Sequence, residues 1–190
     1  MLDKKYFVKI RQQLLAYAEQ RREMIKLSGD AQHLAKRAIF ALQRDNTKEG
    51  EEGLAKAKEI LLALNKKFAK VDKIFNEGSY KASLEEYVEA KTFFMFVSGK
   101  AIDKLPIDSI GPEEYINGLT DLSGELVRQA VLQATKGNYK VLESYRSFTE
   151  EIVGFMLNLY LTGSSRQKFD DAKRNLKRLE QIIYEVKLRG

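Results

Sequence analysis

Four acidic side chains fall into two pairs whose spacing suits metal chemistry on helices. Glu86 and Glu89 stand at i and i+3 in LEEYVEAKTFFMFV, residues 84–97. On a helix that puts them about 5–6 Å apart at Cβ. Asp121 and Glu125 stand at i and i+4 in LTDLSGEL, again on one face. The first pair lies on a stripe that runs on through Phe93 and Phe96, within the apolar run Phe93–Val97, which must be buried. A carboxylate under such a stripe is costly unless it is neutralised, paired or bound to a metal. If the two segments pack together, four hard oxygen donors meet, a set suited to Mg2+ or Mn2+. One or two such ions could generate a hydroxide nucleophile and stabilise a phosphoryl-transfer transition state.

Chance competes with that reading, because a helical chain with 27 acidic residues produces such pairs without any metal. Glu85 and Glu86 can belong to a solvated first turn, and Glu125 has Arg128 and Gln129 nearby as partners. Other chemistries are poorly supplied. The absence of cysteine excludes disulfides, thiolate zinc sites and cysteine nucleophiles. The single histidine, His33, sits inside a basic segment and assembles no Ser-His-Asp set. No Gly-rich phosphate loop follows a strand. Any hydrolysis would have to run on carboxylates and metal.

The elements that position these groups read as helices throughout. Only Pro106 and Pro112 break the chain, and Leu, Ala, Glu, Lys and Arg are abundant. Residues 3–44 form one long helix or two abutting ones, capped by Asp3, with Gly29 as a bend or break and Phe7, Ile10, Leu14, Tyr17, Ile25, Leu34 and Leu42 inward. Asp45–Gly53 reads as a polar loop. Leu54, Ala57, Leu61, Leu64, Phe68, Val71 and Phe75 make a three-four seam. A third helix spans 81–101, a fourth 113–135 and a fifth 140–161, the last with Phe148, Ile152, Phe155, Met156 and Leu159 inward. Gly118 and Gly124 on the fourth let another helix come close. The final helix repeats the seam through Phe169, Ala172, Leu176, Leu179, Ile183 and Val186, and ends on basic Lys187 and Arg189. The seams face either the chain's own core or a second subunit. An all-α antiparallel helical bundle, one domain over 1–190, accommodates all of this.

Charge is uneven. Residues 1–44 hold ten basic and four acidic side chains, the whole of the +6 surplus. That asymmetry suits a polyanionic partner or a solvated outer face. The N-terminal MLDKKYFVKIRQQ lacks the apolar core of a signal peptide. No apolar run exceeds five residues, far from the roughly 20 of a membrane span. A cytoplasmic protein with no membrane partner is expected.

The segments LEEYVEA, EEYINGLTDLSGELVRQAV and KFDDAKRNLKRLEQIIYEVKLRG resemble the translin family, most nearly its translin-associated factor X (TRAX) branch. The early REMIKLSGDAQHLAKRAIFALQR resembles the family's first helix, so the likeness covers nearly the whole chain. The resemblance implies a translin-like bundle assembling into a closed oligomeric barrel, commonly an octamer. It implies an Mg2+-dependent endoribonuclease acting on single-stranded RNA. Glu86 and Glu89 stand where TRAX carries catalytic glutamates and Asp121 where it carries a catalytic aspartate; Glu125 matches the neighbouring acid. It also gives the basic segment a purpose, with Arg21, Arg22, Lys26, Lys36, Arg37 and Arg44 guiding the RNA backbone. The ending at Gly190 fits a minimal, homo-oligomeric member, whether or not a translin-like partner exists. Two alternatives stand beside this one. A non-catalytic translin-like binder of single-stranded RNA or DNA needs the basic surface alone. An all-α nucleotide pyrophosphohydrolase fits Glu86 and Glu89 but not the Asp121–Glu125 spacing.

Overall fold

The computed structural model describes residues 2–189, without the side chains at 72, 73 and 189. Among the described residues the helices are α1 Lys4–Leu42, α2 Thr47–Phe68, α3 Asp72–Phe75, α4 Gly78–Val97, α5 Pro112–Thr135, α6 Leu142–Met156 and α7 Gly163–Arg189. A 3-10 turn, Tyr139–Val141, leads into α6, and no strand occurs. The all-α bundle anticipated from the pattern is the fold. None of the helices is long and apolar enough to cross a membrane. Of the basic ending, the Arg189 side chain and Gly190 lie outside the described residues.

Asp3 caps α1, its Oδ1 accepting from the Lys5 and Tyr6 amides at 2.9 and 3.3 Å. Gly29 does not break the helix, which continues through it. A helical glycine costs only about 1 kcal/mol, and Met24, Ala31, Ala35, Ala38 and Leu42 on the same helix are buried. The expected loop 45–53 contracts to 43–46. Asn46 caps α2 by accepting from the Glu49 amide at 3.3 Å and donating to the Glu49 carboxylate at 2.8 Å. Gly50 and Gly53 are packing glycines: a Cβ at Gly50 would stand 2.8 Å from the Leu42 side chain.

The α2 seam is buried from Leu54 to Phe68, whereas Val71, between α2 and α3, and Phe75, on α3, fall beyond the helix and are half-buried. In α7, Phe169, Ala172 and Leu179 are buried. Both seams therefore face the chain's own core. The first stripe of α1 does not: Phe7 and Leu14 are exposed, as is Ile25 further on. Helix α4 stops at Val97, short of 101. Helix α6 stops at Met156, where the Asn158 side chain takes the Gly154 carbonyl and the Asn158 and Leu159 amides turn to the carbonyls three residues back, Phe155 and Met156. Phe155, within the helix, and Leu159, beyond it, are exposed, while Ile152 and Met156 are buried.

Direction matters for the site. Leu42 meets Gly50 and Glu23 meets Lys67, so α1 and α2 are antiparallel. Arg21 meets Glu77 and Lys36 meets Glu86, so α4 runs with α1. Lys81 meets Glu114, Glu85 meets Asn117 and Val88 meets Gly118, so α5 runs with α4. The connection 98–111 must then return the chain along the bundle. It buries Leu105 and Ile107 on the way and is held by Tyr80 to Ser109 at 2.7 Å and by the Tyr115 hydroxyl donating to the Asp103 carbonyl at 2.7 Å. Pro112 and a Glu114 carboxylate accepting from the Gly111 amide at 3.1 Å then start α5.

Candidate acidic site

Parallel packing sets the two carboxylate pairs side by side. Helices α4 and α5 approach closely at Gly118, where an added Cβ would lie 2.4 Å from the Glu85 carbonyl oxygen and 2.7 Å from the Val88 Cβ. Gly124, the other small residue, faces only Asn175 of α7, at 3.7 Å, and does not bring α4 in. One turn beyond Gly118, Glu86, Glu89, Asp121 and Glu125 all line one cleft of about 440 Å3, closed on the α1 side by Lys36, Ile39 and Phe40. Arg128 completes its wall. The structure thus brings the four expected acids together.

Three of the four are already engaged. Glu86 accepts from Gln32 at 3.3 Å and pairs with Lys36 at 3.5 Å. Asp121 pairs with Lys168 of α7 at 2.5 Å, and the same ammonium reaches Glu85 at 2.8 Å. Glu125 accepts from Gln43, not from Arg128 or Gln129. Glu89 differs: among the described residues its carboxylate has no hydrogen-bond or ion-pair partner. Burial, then the neighbouring Glu86, Asp121 and Glu125, pushes its pKa up from 4.5 to about 9. Burial also raises Glu86, Asp121 and Glu125, with Lys36, Lys168 and Arg128 respectively opposing it. At neutral pH the Glu89 carboxyl is therefore held protonated.

The donor chemistry fits a hard divalent cation: carboxylates from both α4 and α5, and one acid left without an ion-pair partner among the described residues. As the side chains stand, no three metal-binding groups among the described residues form a set that could hold one ion. The two observations concern different things. The backbones deliver the acids to one cleft, whereas Gln43 and Lys168 hold two of them in other hydrogen bonds. Binding an ion requires those partners to be exchanged, a matter of rotamers rather than of helix movement.

The basic residues are less gathered. Lys36 lines the cleft, and Arg44 lies over the exposed Phe40 ring, 3.5 Å from its centroid, at the same edge. Arg37 lies 3.7 Å from Glu49 on α2, and Arg21 forks onto Glu77 at 2.8 and 3.0 Å near the other end of α4. Arg22 and Lys26 are exposed on α1. So two of the six expected RNA contacts adjoin the acids, two are spent elsewhere and two stand apart. His33 is exposed and outside the cleft. Reasoning from the sequence missed Lys168, Gln43, Gln32 and Glu85 as neighbours of the acids. Only Lys168 carried any signal, as a cation opening the KFDDAKRNL stretch of the last helix.

The translin family model matches residues 19–190. Translin of Gallus gallus is 33% identical over 79 residues, 41% of this chain and 34% of that protein; the chain thus spans about a third of the length of the translin it matches. Translin-associated protein X of Rattus norvegicus is 24% identical over 226 residues, covering 97% of this chain and 78% of that one. Among solved structures, AfC3PO in complex with duplex RNA superimposes with a TM-score of 0.84 at 21% identity, covering 97% of each chain. At that identity the superposition establishes the shared fold.

Proposed function

The chain belongs to the translin family, and from that premise we propose that it is a metal-dependent endoribonuclease cleaving single-stranded RNA within a homo-oligomer. The observation that carries this reading is the cleft itself, four carboxylates around one cavity with Glu89 half-buried and unpaired. Glu86, Glu89, Asp121 and Glu125 would hold Mg2+ or Mn2+. A cation there supplies a water activated near neutral pH and charge to offset the phosphodiester.

The chain's own residues do the rest. Lys36 and Arg128 on the cleft wall, with Arg44 at its edge, attract and orient the phosphate. Glu89, neutral without a counter-charge, would ionise beside a bound cation, because a positive charge would offset the penalty that keeps the acid neutral. Water adds to phosphorus, the bond between phosphorus and one ribose oxygen breaks, and the departing oxygen takes up the proton that a cleft carboxylate first received from the water. The proton lost by the water passes to a cleft carboxylate, for which Glu125, at the α5 end of the set, is suited. The duplex RNA held by the similar AfC3PO supports RNA as the polymer. The exposed Tyr6, Phe7, Leu14 and Leu15 on the N-terminal half of α1 support self-association.

A second reading draws on the engaged state of the acids: a translin-like binder of single-stranded RNA or DNA without turnover. An assay on end-labelled single-stranded RNA, with Mg2+ or Mn2+ against EDTA, separates the two. Cation-dependent internal cleavage that disappears in Glu89→Ala, with assembly retained, supports the nuclease. Salt-sensitive binding with no cleavage under either cation leaves the binder.

A further inference from the structure

A second cavity, of about 670 Å3, opens further along the same α1–α4–α5 interface. That volume falls within the range of about 300–1,000 Å3 typical of small-molecule sites. Phe96 and Tyr145 give it aromatic walls, their centroids 5.6 Å apart. Gln129 and Gln133 line it from α5, and Lys136 and Asp45 pair beside it at 2.7 Å. Gln129 is only 3% exposed, yet its Oε1 accepts no hydrogen bond. Gln133 is in a different state, since its Oε1 accepts from Asn138 at 3.1 Å. The cavity therefore holds one buried acceptor without a donor, a group that folded chains seldom leave unmatched. The acid chemistry makes no use of it.

Position relates this cavity to the acids. Gln129 follows Glu125 by one turn, about 6 Å along α5. A nucleotide spans a comparable reach, since one ribose separates its base from its phosphate. Unstacked RNA bases are commonly held against aromatic rings and read on their hydrogen-bonding edges. We propose that this cavity receives one unstacked nucleobase of the strand whose phosphodiester lies in the carboxylate cleft, and that Gln129 selects a base bearing an amino group. Adenine, cytosine and guanine each present an exocyclic N–H2 to the free Oε1. Uracil presents a single ring N–H flanked by two carbonyl oxygens, which the same amide oxygen repels. The proposal rests on the RNA reading above and adds a base preference to it.

The test keeps cleavage out of the measurement. The full chain, in EDTA, is titrated calorimetrically with adenosine, cytidine and uridine 5′-monophosphates. The expected result is binding of the first two, with uridine monophosphate roughly tenfold weaker. Gln129→Leu should bring the adenosine and cytidine nucleotides to the uridine level. On the unsubstituted protein, NMR shifts caused by adenosine monophosphate should centre on the Phe96 and Tyr145 rings, which guards against a variant that fails to fold. Equal binding of uridine monophosphate, no binding at millimolar nucleotide, indifference to Gln129→Leu, or shifts elsewhere would each overturn the proposal. Selective binding by a protein that never cuts RNA would sink the nuclease and leave this site standing.

Discussion

Lys168 reaches from α7 to Asp121 on α5, 2.5 Å from Nζ to Oδ2, and so occupies one of the four acids that a cation would need. Its second partner, Glu85 at 2.8 Å, lies on α4. One ammonium therefore ties three helices together beside the cleft. Replacing it by Met in Lys168→Met strands two half-buried carboxylates. Without divalent cation the variant should lose about 1–3 kcal/mol of stability. Mg2+ or Mn2+ should then raise its Tm more than it raises that of the unsubstituted protein, since Asp121 is free to ligate. Equal cation-induced shifts in both proteins would remove Lys168 from any part in the site.

Glu89 gives the apoprotein a distinctive pH dependence. Its folded pKa, about 9, exceeds the ordinary 4.5. The folded state then binds the extra proton between those values, so stability declines as pH rises from about 4.5 to about 9 and levels off above. Glu89→Gln should flatten that decline in denaturant titrations run across the range. A slope unchanged by the substitution would show that the acid is ionised at neutral pH.

The same proton should appear when a cation binds. Calorimetric titration of Mn2+ near pH 7 in buffers of different ionisation enthalpy should report release of about one proton per bound ion from the unsubstituted chain. In Glu89→Gln the release should fall close to zero and affinity should drop. Buffer-independent heats would argue against Glu89 as a ligand.

Two glycines on one helix offer a paired check of the packing. Gly118→Ala drives a methyl against the α4 backbone and should cost about 1–3 kcal/mol. It should also weaken cation binding, because it spreads the two acid pairs. Gly124→Ala meets only Asn175 at 3.7 Å and should be neutral or slightly stabilising, as glycine is the poorer helix former. Chemical denaturation of the two variants ranks them, and the reverse order would contradict the α4–α5 contact.

Self-association through α1 is tested at its exposed apolar residues. Leu14→Glu with Leu15→Glu should lower the particle mass toward that of one chain in light-scattering chromatography while leaving the helical signal intact. An unchanged mass would move the interface elsewhere.

The acid set was legible before any coordinates because helical spacing is a local property. Glu86 with Glu89, and Asp121 with Glu125, each share a face whatever the tertiary structure does. Their partners were not legible. Gln43, Lys36 and Lys168 reach the acids from α1 and α7, and no periodicity within one segment announces a contact between segments distant in the chain. Turn residues misled in a systematic way. Gly29, Gly50 and Gly53 look like punctuation, yet Gly29 is simply carried within a packed helix, and the other two let α1 and α2 approach. The opposite error occurred at 157–161, where apolar residues extended a helix on paper that local hydrogen bonding ends at Met156. The free oxygen of Gln129 leaves no trace in composition or spacing at all.

The return segment 98–111 divides the chain into an N-terminal piece carrying Glu86 and Glu89 and a C-terminal piece carrying Asp121 and Glu125. Neither piece owns a complete acid set. A protease nick in that segment would leave two separable fragments, and hydrolysis would return only as they rejoin. Activity would then serve as a direct readout of fragment complementation, with each half inert alone.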